Sequence, residues 1–494
     1  YEIASCLVGS EMCIRDRGIL LFVSQYFYSG QSYNEAILST VAGIIGMIPE
    51  GLVLLTSIAL TAGVVKMAKK NVIIEKLHGI EILSCVDVLC LDKTGTITDG
   101  TMEVVELIKL NDKDNIEDII ANINTNDANN STDKALKNKY GVKDNLKVED
   151  RMPFSSAKKC SITIIEGVKY YLGALEYITD KSISDYPELD KYVKKGYRII
   201  TLAKEKNELD VIGFIVIKDN IRSNAGDTLR YFKEQQVEIK IISGDNPSTV
   251  SNILRQLDFE GYDRYIEGKD LPKDYNELVE VVKEKTIFGR MTPMQKQMVI
   301  KALKENNTVG MIGDGVNDIL ALKEADCGIA LGSGVSAARS VADVVLKTDD
   351  FSVLPSIVNE GRRVVNNIER VASMYLIKTT YSFLLCLLSI GLSHEYPFYP
   401  IQLSLISSVC VGIPSFFLAL EPNYNKVDKD FIAKVFRNAV PNGITVVLNI
   451  FIIIMFCTIF NKNFENYRLV VVTLTGFILS LIHISEPTRQ EAIS

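Results

Sequence analysis

Asp92-Lys93-Thr94-Gly95-Thr96, directly after the mostly apolar run Val86–Leu91, is the stretch that decides the fold of this 494-residue chain. An aspartate at the carboxyl end of a buried strand, followed by a glycine-containing turn, stands where open α/β sheets bind phosphorylated ligands. Such a carboxylate can attack a γ-phosphate and carry it as an aspartyl-phosphate.

Outward from that stretch, further strand-like segments end in polar loops. Val237–Ile242 precedes Ser243-Gly244-Asp245, and Thr308–Ile312 precedes Gly313-Asp314. Helix-like stretches such as Met294–Glu305 separate them, an alternation that predicts a parallel sheet with crossover helices. Between Gly100 and about Phe214 the pattern breaks, with a polar, Asn-rich stretch at Ala121–Lys139, and an inserted domain is expected there.

Farther out the chain turns apolar. Ile19–Tyr28, Ala36–Val65, Met374–Leu392, Pro400–Leu420, Ala439–Phe460 and the run from Leu469 flank a polar block from about Lys66 to Asn366. The full runs approach the ~20 residues that cross a bilayer. Lys66, Lys69 and Lys70, then Arg362, Arg363 and Arg370, then Lys426, Lys429, Lys434 and Arg437 all fall on one side if the polar block is cytoplasmic. The opposite loops, Ser29–Glu35 and His394–Tyr399, carry no Lys or Arg, as the positive-inside rule requires.

Composition agrees with several domains: 47% of residues are hydrophobic. A net charge of −7 gives no case for a nucleic-acid partner. The cysteines form no CxxC pair, so neither a zinc site nor a disulfide framework is expected. The ends are expected to be foreign. Met12–Arg17 and Leu479–Ile484 can be encoded by one DNA element read on its two strands, as in a sequencing adapter, so 1–17 and 479–494 are set aside.

With Ile97-Thr98, the DKTGT string resembles the phosphorylation motif of the P-type cation-translocating ATPases. That resemblance implies a membrane α plus α/β protein: transmembrane helices, a haloacid-dehalogenase-like (Rossmannoid) phosphorylation domain and an inserted α+β nucleotide-binding domain. The expected division is 18–70 transmembrane, 71–102 phosphorylation domain, 103–214 nucleotide-binding domain, 215–352 phosphorylation domain again, and 353–478 transmembrane. Asp92 would be the nucleophile. Soluble phosphatases of the fold usually place a second Asp two residues on; Thr94 stands there instead, which leaves the aspartyl-phosphate without a nearby proton donor. Asp92, the Thr94 carbonyl and Asp314 would hold Mg²⁺, with Asp318 in support, in keeping with that ion's demand for oxygen ligands beside phosphate. Asn317 belongs to the same Gly313–Asp318 motif. Lys296, in Arg290–Lys296, would neutralise the transferring phosphoryl group.

The same resemblance assigns the ATP site. Ser243, Gly244 and Asp245 match TGD with Ser for Thr; Asp219 and Arg222 match DPPR without its prolines. Phe154 would stack on adenine, with plain core packing as the alternative, and Lys159 would approach the phosphates. Leu172-Gly173-Ala174 departs from the usual KGA, leaving Gly173 but no lysine. Arg198 would contact phosphate.

Ile48-Pro49-Glu50-Gly51-Leu52 lies inside the apolar run Ala36–Val65. Proline interrupts a helix and frees carbonyls. A carboxylate at membrane depth costs about 2.5–3.5 kcal/mol on insertion scales and usually acts at a cavity. Pro49 and Glu50 match the family's PEGL ion site, and no cysteine stands beside this proline, which argues against copper, zinc or cadmium. Calcium is the first expectation, with magnesium, potassium or sodium open. Lys378 on the next span either snorkels or pairs with Glu50, and Val411 stands where calcium pumps carry an aspartate. No TGE string occurs, so the actuator domain and the outermost spans are expected to be missing and the chain alone is not expected to turn over. Expected partners are ATP, the cation and a lipid bilayer, in a bacterial plasma membrane with the catalytic domains cytoplasmic. A membrane-tethered phosphatase of the same fold and a non-catalytic relative are the rivals.

Overall fold

The structure is a computed structural model that describes residues 15–111, 114–126, 130–155, 159–193, 195–206, 208–427, 430–460 and 464–491. Of the segments quoted above, residues 1–14, 127–129 and 492–494 and Lys429 lie outside them. Contacts divide the chain into two units, residues 67–358 and residues 1–66 with 359–494.

The first unit is built on an eight-stranded sheet in the order Tyr265–Glu267, Ile287–Gly289, Glu238–Ile242, Val88–Leu91, Val309–Gly313, Cys327–Leu331, Val344–Leu346, Val72–Ile74. All neighbours are parallel except the last pair. Val88–Leu91 is buried at every residue, as a strand covered on both faces must be. Later strands first add to one side of it, and then Val309–Gly313 pairs with its other side. That reversal opens a crevice at the strand's carboxyl end, where Asp92 sits. The helix expected at Met294–Glu305 runs Pro293–Leu303. Thr292 accepts from the Gln295 amide, Gln295 reaches back, and Pro293 occupies the first turn, so the start is set by a capping box.

Between the strands ending at Leu91 and beginning at Glu238 the chain builds a second sheet, entirely antiparallel: Thr98–Lys109, Leu209–Ile221, Arg198–Glu205, Val168–Gly173, Cys160–Ile165, Val148–Ser155. Helices Ile116–Ile123 and Ser131–Tyr140 cover it, packing Ile116, Ile120 and Leu136 on Val104, Leu202 and Ile215. The described residues of the Asn-rich stretch thus lie partly in these two helices. Asn130 caps the second helix through the Asp133 amide at 2.7 Å, buried Asn122 donates to Asp118 O at 2.7 Å, and Asn124 donates to Gly141 O at 2.8 Å. Asparagine serves as cap and clasp here.

In the second unit, Tyr33–Ala68, Phe351–Leu392, Pro400–Leu420 and Phe431–Ile459 are long and apolar enough to cross a membrane, and Tyr467–Ile482 is a shorter apolar helix. The first is broken. Helix Tyr33–Met47 stops, Ile48 is extended at φ −94° and ψ 123°, and a new helix begins at Glu50. The third passes through a π-turn at Ser407–Gly412. The basic clusters are tied to one helix, Leu354–Leu392, by ion pairs Lys66–Glu360 at 2.6 Å and Lys434–Glu369 at 3.0 Å, while Arg370 on that helix holds Glu421 at 2.8 Å.

Candidate active site

Asp92 ends the central strand, its amide donating to Ile312 O of the neighbouring strand at 2.9 Å. The chain then turns at once, because Gly95 adopts φ +74°. A Cβ on Gly95 would sit 2.6 Å from Asp314 Oδ2, so glycine is required twice, for the left-handed backbone and for the approach of Asp314. Gly313 is similarly closed in: its Cβ would meet the Asp318 side chain at 2.6 Å. We expect Gly95→Ala to cost about 1–3 kcal/mol of stability, read from denaturant unfolding, and to displace Asp314 enough that added Mg²⁺ no longer protects the fold.

These turns bring three carboxylates together. Ligand oxygens of Asp92, Asp314 and Asp318 lie within 4.8 Å of one another. The helix starting at Pro293 sends buried Lys296 between two of them, 2.8 Å from Asp92 Oδ1 and 2.6 Å from Asp318 Oδ1. The Thr94 amide donates to Asp92 Oδ2 at 3.3 Å. Burial pushes Asp92 up to about 6; Lys296 opposes this, and Asp318 and Asp314 reinforce it. Burial also raises Asp314, with Asp318 adding to it. For Lys296, burial disfavours the charge, but Asp92 and Asp318 outweigh it and hold the ammonium above its usual range. Three close hard oxygen donors with excess negative charge fit Mg²⁺ well.

A second layer depends on Lys93, which the sequence reading passed over. Its ammonium is buried, 2.9 Å from Asp219 and 2.5 Å from Asp245. Burial opposes that charge, and the two carboxylates overcome it. Asp245 is held below its usual range because Lys93 outweighs the effect of its burial. Asp219 and Asp245 thus share the Lys93 ammonium between them. Ser243 is buried and its Oγ accepts the Asp245 amide at 3.1 Å, while Gly244 is exposed. Arg222 donates to Gly95 O at 2.8 Å, and its Nε is buried without a partner among the described residues. The one signal for Lys93 was its place beside Asp92 in the motif.

The inserted sheet contributes less contact. Arg198, half exposed, lies 3.9 Å from Asp245. A cavity of about 340 Å³, lined in part by Lys195, Tyr197, Lys218 and Asp219, opens at Asp219. Phe154 is 49% exposed on the edge strand, which excludes plain core packing. Lys159 is exposed in a left-handed turn. Gly173 lies opposite Cys160, where a Cβ would come within 2.4 Å of Lys159 O, so strand packing alone requires glycine there. Leu172 is buried against Ile165 and Leu202. Asn317 and Thr94 are exposed at the edge of the crevice. Among the described residues, none of Phe154, Lys159 and Gly173 bonds to the Asp92 cluster.

In the helical unit, Pro49 and exposed Glu50 mark the helix break. Lys378 is only 1% exposed and within electrostatic reach of Glu50, so it does not snorkel. The Tyr375 hydroxyl crowds Gly51, and Val411 is fully buried.

Comparison with known proteins places this geometry. Residues 86–326 match the haloacid dehalogenase-like hydrolase family. The chain is 37% identical to a probable cation-transporting ATPase, exp7, of Streptococcus pneumoniae, over 89% of this chain and 59% of the relative. It is 37% identical to the calcium-transporting ATPase CtpE of Mycolicibacterium smegmatis, over 87% and 57%. It thus spans somewhat under three-fifths of these relatives. The crystal structure of a zinc-transporting PIB-type ATPase in its E2.Pi state shares the fold, with a TM-score of 0.61 at 19% identity over 83% of this chain and 62% of that one.

Proposed function

Because the chain is homologous to the P-type cation-transporting ATPases and carries a haloacid dehalogenase-like domain, we propose that ATP phosphorylates Asp92 and that this step drives a cation across a membrane. The observation that carries the reading is Lys296 seated between Asp92 and Asp318, beside Asp314. Asp92 attacks the γ-phosphorus, a new acyl-phosphate bond forms, the bond to the β-phosphate oxygen breaks, and ADP leaves. Lys296 carries positive charge to the transferring group, where electrostatics and positioning supply most of the catalysis. Asp92, Asp314 and the Thr94 carbonyl would hold Mg²⁺, which would neutralise developing phosphoryl charge, and Asp318 supports them through Lys296. Thr94 in place of a second aspartate lets the intermediate persist. Arg198, Lys159 and Phe154 serve the nucleotide, and Arg222 serves its phosphates.

Calcium is the cargo we favour, with magnesium, potassium and sodium as alternatives. Glu50 and carbonyls freed at Pro49 make a hard-oxygen site, and relatives named as calcium-transporting occur in Mycolicibacterium smegmatis and Bacillus subtilis. The soluble unit faces the cytoplasm of a bacterium, on the side of the basic clusters.

The test is acid-stable labelling from γ-labelled ATP in the full gene product, titrated with Ca²⁺, Na⁺, K⁺ and Mg²⁺. One cation raising the label supports the pump; no label under any condition favours the non-catalytic relative. Glu50→Gln keeps the shape and removes the charge. We expect it to weaken the apparent affinity for that cation by on the order of 10²-fold or more, the scale of a lost charge-assisted ligand, with labelling at saturating cation preserved.

A further inference from the structure

We propose that Glu360 is a positioning residue that links the helix carrying Glu50 to the long helix Leu354–Leu392, keeping cation occupancy and phosphorylation at Asp92 coupled; this rests on the function proposed above. Glu360 is 4% exposed, and a buried carboxylate persists only when paired. Its Oε2 takes Lys66 at 2.6 Å, and its Oε1 takes Arg363 Nη2 at 2.6 Å and Nε at 2.8 Å. Lys66 stands in the last turn of the helix whose first residue is Glu50. That helix is 19 residues, a rod of about 28 Å at 1.5 Å per residue. Displacement at the broken end is therefore carried to Lys66.

Two further observations place the carboxylate at a junction. The Glu50–Ala68 helix presses on the long helix at Gly63, where a Cβ would lie 3.0 Å from Val364 and 4.0 Å from Glu360 Oε1. Arg363 also donates to Ala419 O at 3.2 Å, joined by Asn367 at 3.1 Å, satisfying an orphan carbonyl in the last turn of helix Ile413–Leu420. Two spans thus meet at Glu360 itself, and its partner Arg363 carries the contact on to a third.

Glu360→Gln, Glu360→Asp and Lys66→Met are compared in the full gene product by labelling at Asp92 with and without the stimulating cation. Lys66 is half exposed, so its loss leaves the buried Glu360–Arg363 pair standing and guards against simple misfolding. We expect Glu360→Gln and Lys66→Met to retain labelling while the ratio with and without cation falls about tenfold, within the usual range of coupling between sites. Glu360→Asp restores part of the ratio. A purely structural role would lower the amount of folded protein and leave the ratio unchanged. An unchanged ratio in Lys66→Met and Glu360→Gln overturns the proposal while leaving the pump intact. Wild-type labelling that no cation alters sinks the pump and this proposal together.

Discussion

Asp92→Asn is expected to reduce acid-stable labelling from γ-labelled ATP to background, with the protein still folded and still binding ATP. The amide keeps the size of the side chain but is not a nucleophile, and Lys296 retains Asp318 at 2.6 Å. Asp92→Glu should fail almost as completely. A side chain one methylene longer misplaces the attacking oxygen by about 1 Å, enough to cost around 10²-fold, in a turn that Gly95 and Asp314 already fill. The pH profile adds a second check. Burial, reinforced by Asp318 and Asp314 and opposed by Lys296, lifts Asp92 to about 6, well above its unfolded value. A raised carboxylate pKa favours the neutral folded form, so this group's contribution to stability is present below its unfolded pKa and lost as pH rises through about 6. A bound divalent cation needs the ionised form. Thermal protection by Mg²⁺ should therefore grow between pH 5 and pH 7 in the wild type, and grow much less in Asp92→Asn. Equal protection at both pH values in the wild type would refute the assignment of Asp92 to the cation cradle.

The strand ends were legible because phosphoryl transfer asks for acids and a cation at the carboxyl edge of a parallel sheet, and each of these lies in its own short motif. What joins them was not. Lys296 and Asp92 are 204 residues apart, and nothing local in the helix Pro293–Leu303 says that its lysine turns inward. Lys93 was hidden in the opposite way, inside a motif whose aspartate drew all attention, because its burial depends on Asp219, 126 residues on. The helix break at Pro49 followed from proline's missing N–H, whereas the burial of Lys378 followed from packing that no local pattern encodes. The Asn-rich stretch left its local structure open, because asparagine favours loops and helix caps alike and only the fold decides between them. Glu360 carried no local signal, because its burial rests on Lys66 from another span as well as on Arg363 one turn along its own helix.

Lys296→Met should combine the largest loss of stability with the largest loss of rate short of removing the nucleophile. Methionine matches the length of the lysine stem and fills its buried slot, so the change isolates charge. It leaves the Asp92 and Asp318 carboxylates buried without their shared cation. Breaking a buried pair in this way costs about 3–5 kcal/mol, which denaturant unfolding of the metal-free protein would read directly. Part of that loss should return on adding Mg²⁺, since a divalent cation can answer the same charges, and part should return in acid, because burial raises Asp92 and the variant no longer has Lys296 to oppose that rise. The rate should not recover with it. Without an ammonium beside the transferring phosphoryl group, labelling at saturating ATP and Mg²⁺ should slow by on the order of 10²–10³-fold, the scale of one preorganised charge stabiliser. Lys296→Arg separates the two effects, because its fixed charge satisfies Asp318 while its planar fork cannot reproduce both 2.8 Å and 2.6 Å contacts from one atom. Stability near wild type with labelling still impaired would assign Lys296 to the reaction; recovery of both in Lys296→Arg would reduce it to a generic counter-charge.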